Sequence, residues 1–189
     1  MLNVKCFFVL TVLLIAPQAF AKSGNVNSAG NFTVGMGPSG AIFMTDRHPE
    51  LDPGLGAHVY FDYRWSPDIS TTTTVEMMVQ DGTDTDQGQT SIVYIAIPSV
   101  DVKYYWVTNP SRWDPYVSAG IGYYVLTHGS RGRGVSSGIG AQIGIGFDYY
   151  LTTRFSFGVD SQLRSVALLG GGGTGNFPLA FRGNLGFHF

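Results

Sequence analysis

The residues whose types and spacing most resemble a catalytic device are His128-Gly129-Ser130. A histidine two positions from a serine offers a base beside a nucleophile, and acyl transfer would also need a carboxylate to orient the base. Where that carboxylate would be expected beyond Ser130 the chain has Gln142, and Arg131 and Arg133 follow the serine closely. The segment therefore reads as a basic external loop suited to contacting phosphate groups. The run Gly170-Gly171-Gly172-Gly173-Thr174-Gly175 lacks the Gly-Lys-Ser/Thr of a phosphate loop and reads as flexible connection. Histidines at 48, 58, 128 and 188 have no metal-ligand spacing, and Asp81, Asp84 and Asp86 read as a solvated acidic loop. These motifs point to no catalytic residue, metal or cofactor.

The remaining charges carry a different pattern. Asp62, Arg64, Glu76, Asp101, Lys103, Asp148, Asp160, Arg164 and Arg182 each lie in a stretch where apolar and polar residues alternate, always on the polar side. The clearest stretch is 138–150. Ile139, Ala141, Ile143, Ile145, Phe147 and Tyr149 share one face, and glycines with Gln142, Asp148 and Tyr150 share the other. Period two over that length is a strand. The same alternation marks 31–37, 54–65, 69–80, 92–106 (irregular around Pro98), 115–126, 155–165 and 177–189, giving eight strands. Connections alternate between tight turns at 66–68, 107–112 and 151–153 and longer segments at 43–53, 81–89, 128–136 and 168–176.

One face of these strands is almost free of charge, while the other carries five acids and four bases. A soluble barrel would place its apolar face inside, but a dry core cannot take this many charges on the opposite face's behalf. Inverting the barrel resolves this: apolar side chains meet lipid and the charges line a polar lumen. Lipid also forbids an open sheet edge, so the sheet must close. The expected fold is an all-β, transmembrane, eight-stranded antiparallel up-and-down β-barrel. Aromatics beside the short turns, among them Tyr63, Trp65, Tyr104, Trp106, Trp113, Phe155, Phe157, Phe187 and Phe189, form a girdle at the periplasmic interface.

Composition agrees. Among 189 residues only 13% are charged, 14% are aromatic and 26 are glycine, which suits neither disorder nor a helical bundle. A net charge of -2 gives no pull toward nucleic acid. Lys5, the apolar run 6–15 and Ala19-Phe20-Ala21 have the form of a cleaved signal peptide over 1–21. Residues 22–29 then make a short periplasmic tail and 30–189 the barrel. Cys6, the single cysteine, leaves with the signal, so no disulfide stabilises the mature chain.

Gly-Ala-His-Val-Tyr-Phe-Asp-Tyr-Arg-Trp-Ser-Pro at 56–67, Asp-Pro-Tyr-Val-Ser-Ala-Gly-Ile-Gly-Tyr-Tyr at 114–124 and the terminal Phe-His-Phe resemble the small outer-membrane β-barrel superfamily, with its OmpA-, OmpX- and OmpW-like eight-stranded members. The resemblance implies a bacterial outer-membrane location. It also implies recognition of the C-terminal Phe189, with Phe187 on the same face, by the barrel-assembly machinery. Outer-membrane lipid and lipopolysaccharide are the expected partners, the latter through Arg131 and Arg133, and the barrel is expected to be a monomer. Lipid A deacylases are small barrels whose serine and histidine lie on a late strand. Here that strand reads Asp160-Ser161-Gln162-Leu163, with no histidine, so a lipid A-modifying enzyme is a remote alternative.

The favoured reading is a non-enzymatic barrel with an envelope-structural or loop-mediated surface-binding role. The alternative is a narrow channel for small or hydrophobic solutes, as in OmpW-like members. An eight-stranded barrel is just wide enough for side chains to fill. Ion pairs are expected across neighbouring strands, Glu76 with Lys103 and Asp160 with Arg182, and Arg164 is expected higher, meeting loop groups. Deleting Phe189 is predicted to lower the fraction of assembled barrel, read as the heat-modifiable band of membrane extracts on gels. An unchanged band would remove the assembly role of this residue.

Overall fold

The computed structural model describes residues 31–43, 53–84, 88–106, 113–128, 135–169 and 178–189. The segments proposed as signal peptide and periplasmic tail, and Ser130, Arg131 and Arg133, lie outside the described residues. Eight strands follow one another: β1 (Phe32–Phe43), β2 (Gly54–Arg64), β3 (Ile69–Asp84), β4 (Gly88–Tyr105), β5 (Trp113–His128), β6 (Val135–Tyr150), β7 (Phe155–Leu169) and β8 (Pro178–His188). Each pairs antiparallel with its neighbour in sequence, and β1 pairs with β8 to close the barrel. Every backbone ladder thus finds a partner without water, as a membrane requires.

Side-chain direction follows the alternation. Outward-facing Met36, Leu55, Ile121, Ile143 and Leu185 are all more than 60% exposed, whereas inward-facing Glu76 and Arg164 are at most 1% exposed. A fold that exposes its aliphatics and buries its charges has lipid outside and polar contacts inside.

Of the tight turns, 107–112 lies outside the described residues, and those at 66–68 and 151–153 are built alike. The N–H groups of Trp65 and Ser66 donate to the Ile69 carbonyl, while Ser66 Oγ accepts from the N–H groups of Asp68 and Ile69. In the turn after β6, Leu151 and Thr152 donate to the Phe155 carbonyl, and Thr152 Oγ1 accepts from Arg154 and Phe155. In both, one hydroxyl residue closes the chain reversal. The two chain ends meet at the same end of the barrel, where Phe32 and Phe189 exchange backbone hydrogen bonds of 3.3 and 3.0 Å.

Several strands run beyond the stretches read from alternation. β1 continues to Phe43, β3 to Asp84 and β7 to Leu169, while β4 begins at Gly88 and β6 at Val135. Backbone pairing continues past the apolar band, where lipid no longer imposes alternation. β1 passes through Pro38, which pairs with Ala57 on β2; toward β8 the partners skip from Met36↔Leu185 to Ser39↔Arg182. Proline lacks an N–H, and the interruption falls on that one ladder.

The irregularity around Pro98 is a bulge. Partners across β4 and β5 jump from Ala96↔Tyr124 to Ser99↔Gly122, and those across β3 and β4 shift between Thr74 and Glu76. Ile95 stands opposite Met77 and Val100 opposite Thr73, so the bulge switches odd positions for even ones on the lipid side of β4.

Inward glycines make room for large neighbours. A Cβ on Gly146 would lie 2.7 Å from the Tyr116 ring and 2.7 Å from Asp160. Gly146→Val is predicted to destabilise the barrel by about 2 kcal/mol through overpacking. The midpoint of urea unfolding in detergent, read from the heat-modifiable gel shift, checks this; an unshifted midpoint would mean the ring has space to move.

Candidate functional site

The interior is the candidate site, and it is organised in tiers. Nearest the short turns, Arg64 (end of β2) donates to Asp114 at 2.9 Å and to the Tyr150 hydroxyl at 2.8 Å. Its guanidinium stands 4.1 Å over the Tyr105 ring and also donates to the Pro67 carbonyl. His188 joins three strands there, with Thr33 Oγ1 at 2.8 Å from Nδ1 and Ser156 Oγ at 2.8 Å from Nε2. That serine–histidine contact is oriented by a hydroxyl, not a carboxylate, and both residues are buried. It ties the ends of β7, β8 and β1 together, and it lacks the orienting acid of a catalytic set.

The next tier contains three carboxylates, Asp62, Asp160 and Asp148. Asp62 accepts from Ser70 at 2.9 Å and from Thr72, and Lys103 Nζ lies 3.7 Å away. Lys103 also sits 4.6 Å over the Tyr116 ring. Asp160 accepts from Arg182 and from the Asn184 amide, each at 2.9 Å. Because the Asn184 amide nitrogen is donating, its oxygen is the atom that accepts from His58 Nε2 at 2.8 Å. Asp148 accepts from the Tyr105 hydroxyl at 3.2 Å.

Further toward the loops, Arg164 of β7 meets Glu76 of β3 at 2.5 Å. These strands are four apart in an eight-stranded ring, so the pair spans the lumen. Arg164 also donates to Gln162 at 3.1 Å, Gln142 donates to Asp101 at 2.6 Å, and Tyr124 donates to Gln142 at 2.5 Å. Above this lies an apolar collar of Ala41, Met78, Tyr124, Val166 and Ala180, each at most 3% exposed.

All nine charges assigned to the polar face point inward. Seven are buried, and Arg64 and Asp148, nearest the short-turn end, are partly exposed. The pair expected between Asp160 and Arg182 forms at 2.9 Å. The pair expected between Glu76 and Lys103 does not. Lys103 stands opposite Ser70 on β3, six residues from Glu76, or about 20 Å along the strand. Lys103 therefore serves Asp62 and Glu76 takes Arg164 from the far wall. The loop groups expected to meet Arg164 lie outside the described residues; the side chain itself is buried, at 1% exposed.

Asp114 was missed as a lumen residue. It is 1% exposed and forms the ion pair with Arg64. Its signal is present in the sequence, since the alternation through Tyr116 extends back to 114, and β5 begins at Trp113, before Pro115. Gln142, Gln162 and Asn184 lie on the polar face: Gln142 joins Asp101 to Tyr124, Asn184 joins Asp160 to His58, and Gln162 accepts from Arg164. Asp160 and Ser161 point to opposite faces of β7, one to the lumen and one to lipid.

A family model for the outer membrane protein beta-barrel domain matches residues 7–189. No curated protein matches the sequence. Among solved structures, the chain is similar to Neisserial surface protein A with a TM-score of 0.62 at 13% identity, over 85% of this chain and 99% of that one. Ail, the attachment invasion locus protein of Yersinia pestis, gives 0.58 at 12% identity over 85% and 99%. OprG from Pseudomonas aeruginosa gives 0.57 at 15% identity over 87% and 98%. At these identities the likeness concerns the fold.

Removing one partner of the spanning pair leaves a buried charge without its counter-ion. Arg164→Met is predicted to cost about 3–5 kcal/mol of stability, and adding Glu76→Gln to recover a large part of it. Urea unfolding of the single and double variants in detergent checks this, and full additivity would show that the two side chains do not interact.

Proposed function

The chain belongs to the outer membrane protein β-barrel domain family and resides in the bacterial outer membrane, and from that premise we propose that it is a non-enzymatic surface barrel. Its role is envelope-structural or binding, carried by the segments that connect strands on the external side. One observation carries this reading: the Arg164–Glu76 pair crosses the lumen beneath an apolar collar, so the interior is occupied by its own side chains. Four cations each meet a carboxylate, which suits a packed interior more than a solute path. A filled interior moves recognition to the exterior. Arg131 and Arg133, in the segment between β5 and β6, have the chemistry to pair with lipopolysaccharide phosphates. A barrel of the same fold, Ail, has been crystallised with the heparin analogue sucrose octasulfate, an anionic ligand.

In the same reading residues 1–21 direct export, Phe187 and Phe189 present the assembly signal, and the working unit is a monomer. The second reading is a narrow channel for small or hydrophobic solutes, and the collar favours it, because five inward apolar residues offer such a solute a surface. The test is single-channel conductance of the refolded mature barrel in planar bilayers. A correctly folded, silent barrel is expected. Steady openings that change in Arg182→Ala or Glu76→Gln would overturn the plugged lumen in favour of the channel.

A further inference from the structure

The charges inside the barrel do not balance. The inward carboxylates are Asp62, Glu76, Asp101, Asp114, Asp148 and Asp160, and the inward cations are Arg64, Lys103, Arg164 and Arg182. Each cation meets one of Asp114, Asp62, Glu76 and Asp160. Asp101 and Asp148 are left without an ion pair among the described residues. Asp148 is partly exposed near the short-turn end, where water can serve it. Asp101 is 1% exposed, and its carboxylate accepts only the Gln142 amide, on Oδ1 at 2.6 Å. A neutral amide offsets little of the cost of burying a full negative charge.

The wall beside Asp101 presents oxygen alone. Inward positions on β3 are Thr72, Thr74 and Glu76, and those facing them on β4 are Ser99 and Asp101, with Thr72 opposite Asp101 and Thr74 opposite Ser99. Three of their oxygens have no hydrogen-bond partner: Asp101 Oδ2, Thr74 Oγ1 and Glu76 Oε1. All three residues are at most 1% exposed. Thr74 lies diagonally across the ladder from Asp101, a spacing that long side chains bridge, and Glu76 follows it on the same face of β3 past the register shift. Hydroxyl and carboxylate oxygens without histidine or cysteine are the donors of a hard cation. The charge sets its valence. Arg164 meets Glu76 and Lys103 meets Asp62, so the wall carries one uncompensated negative charge, that of Asp101.

We infer that Asp101, Thr74 and Glu76 bind one monovalent alkali-metal cation on the inner wall of the barrel, beside the bulge of β4. Asp101 supplies the charge, and Thr74 Oγ1 and Glu76 Oε1 complete the oxygen set with their free lone pairs. A divalent ion would leave the wall with an excess positive charge. The ion enters as the strands close, and it holds β3 to β4 where their ladder is interrupted. The inference goes beyond the surface-binding role and does not depend on it.

The test is the urea midpoint of the mature barrel, refolded in detergent with sodium, potassium or choline chloride at equal ionic strength. It is run near pH 8, because His58 stands opposite Glu76 with Nδ1 unpartnered, and a proton there would supply the same positive charge. A ligand that binds only the folded state raises the midpoint by mass action. The midpoint should rise with sodium or potassium and not with choline, which is too large for the site. Asp101→Asn should abolish the rise, and Thr74→Val, which keeps the charge, should shift it to higher salt. Asp148→Asn should leave the rise intact. If Asp101→Asn does not refold, Thr74→Val decides. Equal midpoints in all three salts would mean that water alone serves these oxygens, and would overturn the site. A rise that survives Asp101→Asn or is unshifted in Thr74→Val, or one that is lost in Asp148→Asn, would place the ion elsewhere and overturn it too. Conductance tests the plugged lumen separately, so failure of one reading is distinguishable from failure of the other.

Discussion

Hydrocarbon offers the backbone nothing to bond with, and that single constraint organises this molecule. Eight strands must hand their N–H and C=O groups to one another around a complete ring, so β1 must find β8 at the far end of the sequence. Once the ring is closed, each side chain has two possible surroundings, lipid or lumen, and the period of two along every strand decides which. The exposed aliphatics and buried charges are both results of that choice. The interruption at Pro38 is tolerated because it falls on one ladder over two positions while the ladder to β2 continues.

Closing eight strands fixes the width, and the width makes the interior a packing problem for polar groups. Long side chains must fit beside one another, so glycines stand where rings from adjacent strands lie, as Gly146 does beneath Tyr116. Burying ions is costly unless each is paired and its remaining hydrogen-bonding capacity is used. The solution here is shared acceptors. Asp160 serves Arg182 and Asn184, Asn184 passes the contact on to His58, and Gln142 stands between Asp101 and Tyr124. The interior is thereby cross-linked between non-neighbouring strands, which a backbone ladder alone cannot achieve.

Sequence alternation identified all eight strands and the face of nine lumen charges, because lipid enforces the period wherever it touches the sheet. It was silent about the loop ends: beyond the apolar band Asp81–Asp84 and Gly88–Ser91 keep pairing with no apolar face to announce it. It also failed on partners across the lumen. Asp160 and Arg182 are directly opposed on adjacent strands, and that pair was legible. Glu76 and Arg164 meet across the ring, and their meeting depends on the stagger between strands, which has no local signature. Asp114 was hidden by a proline at the second position after the strand begins, where an end strand residue loses no ladder bond that matters to its side chain.

The aromatic rings are gathered at one end. Phe32 contacts Phe61, Tyr63 and Phe189, Trp113 contacts Phe147 and Tyr149, and Phe155 contacts Phe187, all beside the short turns and the chain termini. Rings of this kind prefer the headgroup boundary, so they fix height against one leaflet. The opposite rim, with strands of unequal reach, has no matching belt of ring contacts among the described residues. The barrel is therefore moored at its periplasmic waterline. A thicker or thinner bilayer changes how far the outer rim stands clear of the lipid, while the inner rim keeps its level.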